Sequence, residues 1–247
     1  MKTSLILAVA ALTISTGAYA GGLATTAVTP VASEAAKLTT DWAGPYVGAI
    51  VSNNTAESST GDITSSEYPL NPLSGISYSS EGFSGGIEAG YNFQLNNIVY
   101  GVEVDASTAS IDGQLANSVA TGLGNNFSVS TTTNWIATAR ARVGFASGKA
   151  LFYVTGGVAE ANLDVNLTDV YNGGTTVYTP SVSETRNGIV TGAGAEFKLN
   201  QNWSVKAEYL HYDFGVQAEV FDETVRTFST DGTYTADQTR IGLNYRF

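Results

Sequence analysis

From Trp42 onward, apolar and polar residues alternate with a period of two. The clearest run is FSGGIEAGYNFQ. Phe83, Ile87, Ala89, Tyr91 and Phe93 fall on one face of it, and Ser84, Gly86, Glu88, Gly90, Asn92 and Gln94 on the other. Successive side chains of a strand point to opposite faces, so a run of this kind predicts a strand and not a helix. The turn residues Leu95-Asn96-Asn97 follow. IVYGVEVDAS repeats the pattern, with Ile98, Tyr100, Val102, Val104 and Ala106 opposite Gly101, Glu103 and Asp105. NWIATARARVGF sets Trp135, Ala137, Ala139, Ala141, Val143 and Phe145 against Thr138, Arg140, Arg142 and Gly144. GIVTGAGAEFKL puts Glu196 and Lys198 opposite Ala195, Phe197 and Leu199, and WSVKAEYLHYDF puts Lys206 and Glu208 opposite Trp203, Val205 and Tyr209. RIGLNYRF closes the series, with Ile241, Leu243, Tyr245 and Phe247 opposite Arg240, Asn244 and Arg246.

Two further segments read less cleanly. GPYVGAIVS predicts a first strand whose faces are ambiguous. ALFYVTGGVAEAN has apolar residues on both faces, and Glu160 places Phe152, Val154, Gly156 and Val158 on the inward face with it. Eight strands result. Short turns at 95–97, 146–149 and 200–202 alternate with longer segments at 54–80, 108–130, 163–185 and 216–233 that are rich in Ser, Thr, Asn, Gly and Asp. This is the plan of an antiparallel up-and-down meander with its long loops on one side.

Charge decides what each face meets. One face collects Glu88, Glu103, Asp105, Glu196 and Glu208 with Arg140, Arg142, Lys198, Lys206, Arg240 and Arg246, and with Glu160 counted its acids and bases balance. The opposite faces carry no charge in their central stretches. A Lys or Arg facing lipid near the bilayer midplane costs about 2–4 kcal/mol. Six of them would exceed the roughly 5–15 kcal/mol that holds a typical domain together. If the strands cross a membrane, the charged face is therefore the lumen. A half-exposed soluble sheet also alternates. The small residues mixed with terminal aromatics on the apolar faces, the glycines on the charged face and the opposite charges there favour an all-β, eight-stranded antiparallel transmembrane β-barrel.

The rest of the chain agrees with export. Lys2, the apolar stretch Leu5–Ile14 and Ala18-Tyr19-Ala20 have the form of a secretory signal peptide over 1–20. Residues 21–41 read as a flexible tail in the periplasm, and 42–247 as the barrel. There is no Cys, which argues against a disulfide scaffold, and beyond the signal no apolar run approaches the ~20 residues of a spanning helix. The net charge of −11 becomes −12 once Lys2 is removed, which disfavours nucleic acid as a partner. One His and no Cys point to no metal site and no cofactor. His211, near the loop end of the seventh strand, has Tyr212 and Asp213 as neighbours and no Ser two residues away, so the expectation is not an enzyme. The long segments hold many acids against Arg186 and Arg226, an anionic face open to an extracellular ligand.

WAGPYVGA, GFSGGIEAGYNFQLNNIVYGVEVDAS, NWIATARARVGFA, LFYVTGGVA, GAGAEFKLNQNWSVKAEYLHYDFG and TRIGLNYRF together resemble the small outer-membrane β-barrel family of Gram-negative bacteria, the group of opacity-type surface proteins and porin-family barrels. The likeness runs from about Trp42 to Phe247, with the long segments diverging. It implies an integral barrel of the cell outer membrane, in contact with membrane lipid and lipopolysaccharide. It also implies delivery by the barrel-assembly machinery, which reads a last strand ending in an aromatic residue, a signal that Tyr245 and Phe247 match. The functions open to such a barrel are envelope integrity and surface interaction, a small porin with a narrow pore, or an adhesin or ligand binder working through its loops.

Overall fold

A computed structural model describes residues 41–60, 64–65, 76–117, 126–171, 176–178, 181–222 and 227–247. The expected signal peptide, the expected tail up to residue 40 and Arg226 lie outside the described residues. Eight long strands make the barrel: β1 (Gly44–Thr60), β3 (Ile76–Leu95), β4 (Ile98–Asn117), β5 (Asn126–Ser147), β6 (Ala150–Tyr171), β8 (Ser181–Lys198), β9 (Trp203–Asp222) and β10 (Thr227–Arg246). Two short pieces, β2 (Thr64–Ser65) and β7 (Thr176–Tyr178), pair with β10 and β6. Every long strand is antiparallel to its sequence neighbour, and β1 closes on β10 from Tyr46↔Arg246 to Thr60↔Gly232. Closure leaves neither β1 nor β10 as an open edge, which backbone in hydrocarbon cannot tolerate.

The short turns have local causes. Asn96 takes the left-handed conformation between β3 and β4 (φ 56°), and Gly148 does so between β5 and β6 (φ 57°). Between β8 and β9 the Asn200 side chain accepts from the backbone N–H groups of Asn202 (2.9 Å) and Trp203 (2.8 Å).

The strands run well beyond the expected boundaries. Most of 54–80, 108–130, 163–185 and 216–233 is not loop but strand, as at Asn54–Thr60, Thr108–Asn117, Leu163–Tyr171 and Val216–Asp222. These stretches escaped the strand reading because their pattern inverts. In β4 the outward residues are Ile98, Tyr100, Val102, Val104 and Ala106, then Thr108, Ser110 and Asp112, while the inward ones change from Glu103 and Asp105 to Ala109 and Ile111. In β9, Tyr209 is the last outward apolar residue of the belt. Beyond it His211 and Asp213 face out while Leu210, Tyr212 and Phe214 face in. β10 changes in the same way, with Thr239 and Asp237 outward and Ala236 and Tyr234 inward.

β6 corrects a register. Phe152, Val154, Val158 and Glu160 are exposed on the outer wall, whereas Leu151, Tyr153, Thr155, Ala159, Ala161 and Leu163 are buried inside. Glu160 marks no lumen. It opens the outward polar run Glu160, Asn162, Asp164, Asn166, above the apolar belt. Without it, the inward charged face holds five acids against six bases. Arg186, expected on a loop, is also buried inside the barrel, with its Nε 2.5 Å from Glu184 Oε1.

The belt has the dimensions of a membrane span. Ile98 to Ala106 covers about 27 Å of strand at ~3.4 Å per residue. At a tilt near 40° this is about 20 Å of height, against the ~25 Å apolar band of outer-membrane barrels.

Candidate functional site

The interior of an eight-stranded barrel is just wide enough for side chains to fill it. Here it fills in three layers. The middle layer is a charge network centred on Glu103, which sits on β4 facing β5. Its Oε1 lies 3.0 Å from Lys206 Nζ and 3.1 Å from Arg240 Nη2, and it also meets Arg140 Nη2. Its Oε2 takes the Tyr46 hydroxyl at 2.6 Å and lies 3.4 Å from Arg142 Nη1. Glu208 bridges Arg140 Nη1 (3.1 Å) and Arg240 Nε (2.5 Å). Asp105 lies 3.1 Å from Arg140 and 3.3 Å from Arg240, and accepts from the Thr138 hydroxyl. Glu88 pairs with Lys206 at 2.5 Å. The strands alternate so that β3, β4, β5, β9 and β10 each send charges of this set inward at one level, and the glycines between them leave room. Gly86 and Gly101 have neighbouring backbone within 2.7 Å of where a Cβ would sit.

Glu196 joins this layer to the one below. It lies 3.3 Å from Arg142 Nη1 and 3.5 Å from Arg246 Nη2, and accepts from the Ser204 hydroxyl at 2.5 Å. The Arg142 guanidinium is held between two rings, 4.6 Å from the centre of Tyr46 and 5.2 Å from that of Tyr153. The lowest plug is Trp42, a residue that sequence reasoning treated only as the start of the domain. It is 0% exposed. Its backbone N–H donates to Gln94 Oε1 (2.6 Å), and its backbone carbonyl accepts from Asn92 Nδ2 (3.1 Å) and Arg246 Nη1 (2.5 Å). Lys198 Nζ and Arg246 Cζ lie 5.1 and 5.4 Å from its ring centre. The chain ahead of β1 thus turns back into the mouth of the barrel. No local signal marked this contact in the sequence, because only the fold brings residues 42, 198 and 246 together.

The top layer holds an apolar cluster: Ala109, Ile111, Ile136, Ala161, Leu163, Val190, Leu210, Tyr212, Phe214 and Tyr234 are buried together above the charges. A polar lumen was the expectation, and the upper interior instead mixes this cluster with buried polar side chains such as Asn54, Thr133, Arg186 and Gln238.

All eleven charged residues singled out from the sequence lie inside the barrel, yet they do not form one set. Glu88, Glu103, Asp105, Arg140, Arg142, Lys206, Glu208 and Arg240 meet in the middle layer, while Glu196, Lys198 and Arg246 belong to the mouth. Tyr245 and Phe247 are outside the barrel, packed edge to face at 5.2 Å. Tyr245 also meets Trp203 at 5.1 Å. His211 is on the outer wall. Its Nδ1 lies 2.8 Å from Asp237 Oδ1, and the Tyr209 hydroxyl donates to that same oxygen at 2.6 Å.

Known proteins match this architecture. The 31 kDa outer-membrane immunogenic protein of Brucella melitensis is 33% identical over 253 residues, covering 100% of both chains. The crystal structure of OprG from Pseudomonas aeruginosa superposes with a TM-score of 0.53 at 14% identity, over 83% of this chain and 96% of that one. The outer membrane protease OmpT of Escherichia coli gives 0.50 at 8% identity, over 85% and 98%. At such identities the two structures establish the fold alone. The outer membrane protein beta-barrel domain matches residues 6–247. The chain belongs to that family and is an integral β-barrel of the outer membrane, closed around a buried charge network.

Proposed function

We propose that the protein is a plugged structural barrel that supports envelope integrity and displays a surface, and that it is neither an enzyme nor an open diffusion pore. The observation that carries this reading is the filled interior: Trp42 at the mouth, the Glu103 network in the middle and the apolar cluster above are all side chains buried within the barrel. In the proposed orientation the short turns and the tail ahead of Trp42 face the periplasm, and the polar-walled half projects outward. The outer wall of that half is acidic, with Glu57, Glu81, Asp112, Glu160, Asp213 and Asp237. This supports surface interaction alongside lipopolysaccharide, with an extracellular ligand as a second reading. Phe247 and Tyr245 are the proposed signal to the assembly machinery.

Planar-bilayer recording is the main test. The purified protein should show no large stable openings, and such openings would instead make it a small porin. Protease added to intact cells should cut between β1 and β3, β4 and β5, β6 and β8, or β9 and β10, and cleavage at 95–97 would reverse the orientation. A deletion strain should be sensitised to detergent, and removal of Phe247 should lower outer-membrane assembly more than it lowers the stability of barrel already folded.

A further inference from the structure

The mouth closed by Trp42 gathers three bases, Lys149, Lys198 and Arg246. Lys198, at the end of β8, is buried, yet it lies within ion-pair distance of no carboxylate among the described residues. Its Nζ donates only to the Asp41 backbone carbonyl. Arg246, at the end of β10, is 3% exposed. Its Nη1 is spent on the Trp42 carbonyl. Its Nε and Nη2 are buried without a hydrogen-bond partner, with Nη2 3.5 Å from Glu196 Oε1, inside ion-pair range only. Arg142 Nη2 and Arg240 Nη1 in the middle layer are likewise buried without a hydrogen-bond partner, but Arg246 sits at the mouth and lines a cavity there. Lys149, in the β5–β6 turn, adds a third base, and its carbonyl accepts from the Lys198 backbone N–H at 2.9 Å.

These three bases line one cavity of about 650 Å³. Its remaining wall includes Leu199 and Phe247, which are exposed on the lipid-facing side of the barrel at 53% and 73%. The pocket is therefore amphiphilic. Cationic donors lie on its inner side and apolar side chains lie where the membrane begins. Among the lining residues the Asp41 side chain supplies a carboxylate, set against Lys149, Lys198 and Arg246. A free inorganic anion would use the donors and leave the apolar flank idle. A phosphodiester carrying acyl chains uses both.

We propose that this cavity seats the headgroup phosphate of an anionic phospholipid, with Arg246, Lys198 and Lys149 as donors and with Leu199 and Phe247 against the first methylenes of its acyl chains. The assignment of that lipid to the periplasmic leaflet rests on the orientation given above. Binding itself does not. The site would tie the end of β8, the end of β10 and the Trp42 plug to the membrane.

The test is native mass spectrometry of the full chain in detergent with added phosphatidylglycerol or phosphatidylcholine. One phosphatidylglycerol should be retained preferentially. Lys149→Gln combined with Lys198→Gln should lower its retention about tenfold, as loss of charge-assisted hydrogen bonds requires. Equal retention of the two lipids, or unchanged retention in the variant, would overturn the proposal. Excess inorganic phosphate should displace the lipid poorly, and efficient displacement would make this a free-anion site and overturn the lipid assignment. A heat-modifiability gel reports whether the double variant is folded. Lys149→Gln alone, in an exposed turn, should fold and still weaken retention, and full retention in it would count against the site. Because no cells are involved, failure here leaves the protease test of orientation untouched.

Discussion

The two halves of the barrel are built by opposite rules. In the membrane half, Val104 on β4 points out into lipid and Glu103 points in to four bases. Six residues further along the same strand the rule is reversed: Ser110 points out, and Ala109 and Ile111 point in. The backbone is one continuous sheet, so secondary structure does not distinguish the halves. Their solvents do. Hydrocarbon outside makes apolar residues cheap there and leaves the interior to charges that pair with one another, whereas water outside restores the burial of apolar side chains, each worth roughly 1.5–3 kcal/mol. The inversion therefore marks the membrane boundary along each strand. It also lifts the strands clear of the surface: β6 continues from Glu160 to Tyr171, on the order of 40 Å of strand at ~3.3 Å per residue.

The sharpest break comes from removing the hub of the lower half. Glu103→Ala strands Arg140, Lys206 and Arg240 together in the interior, and loss of one partner from a buried ion cluster costs about 3–5 kcal/mol. Urea unfolding in liposomes should show a loss of this size, and a loss under about 1 kcal/mol would mean that water reaches the network. Next, an arginine can be moved along one wall. Val104→Arg should cost about 2–4 kcal/mol in the same assay, while Ser110→Arg should stay within about 0.5 kcal/mol. Equal costs would erase the proposed boundary. The upper core is tested more gently by Ile136→Val, which should cost about 0.5–1.5 kcal/mol if the apolar layer is packed like a soluble interior. Smallest is a pH effect confined to the upper wall. Hydrogen bonds from Asn134 and Ser183 hold the Asp164 carboxyl below the usual aspartate range. Its stabilising contribution is thus present above the unfolded pKa and lost as pH falls through the folded one. The stability difference between the wild type and Asp164→Asn should accordingly shrink on acidification below about pH 4, and a difference that grows instead would contradict the hydrogen-bonded state.

Legibility in the sequence followed the same division. The belt strands could be read directly, because Phe83 to Phe93 or Ile241 to Phe247 keep one phase against one solvent. β6 was misread because Phe152, Val154 and Val158 below and Ala159, Ala161 and Leu163 above are apolar on opposite faces, and Glu160 stands where the phase changes. The upper strands passed for loops because their outward Thr, Ser, Asn and Asp carry the composition of turns. Arg186 passed for a surface base for the same reason.

Alternation along the chain was enough for a β-barrel, its antiparallel order, its lipid-facing residues outside β1 and β6, and the charges that had to be hidden from lipid. These follow from local alternation and from the cost of a charge in hydrocarbon. Tertiary structure alone decided which charges meet, that an apolar cluster gathers above them, and that Trp42 folds back between Lys198 and Arg246. Those outcomes depend on the register between strands and on closure of β1 against β10, which bring together residues far apart in the chain and leave no trace in any one segment.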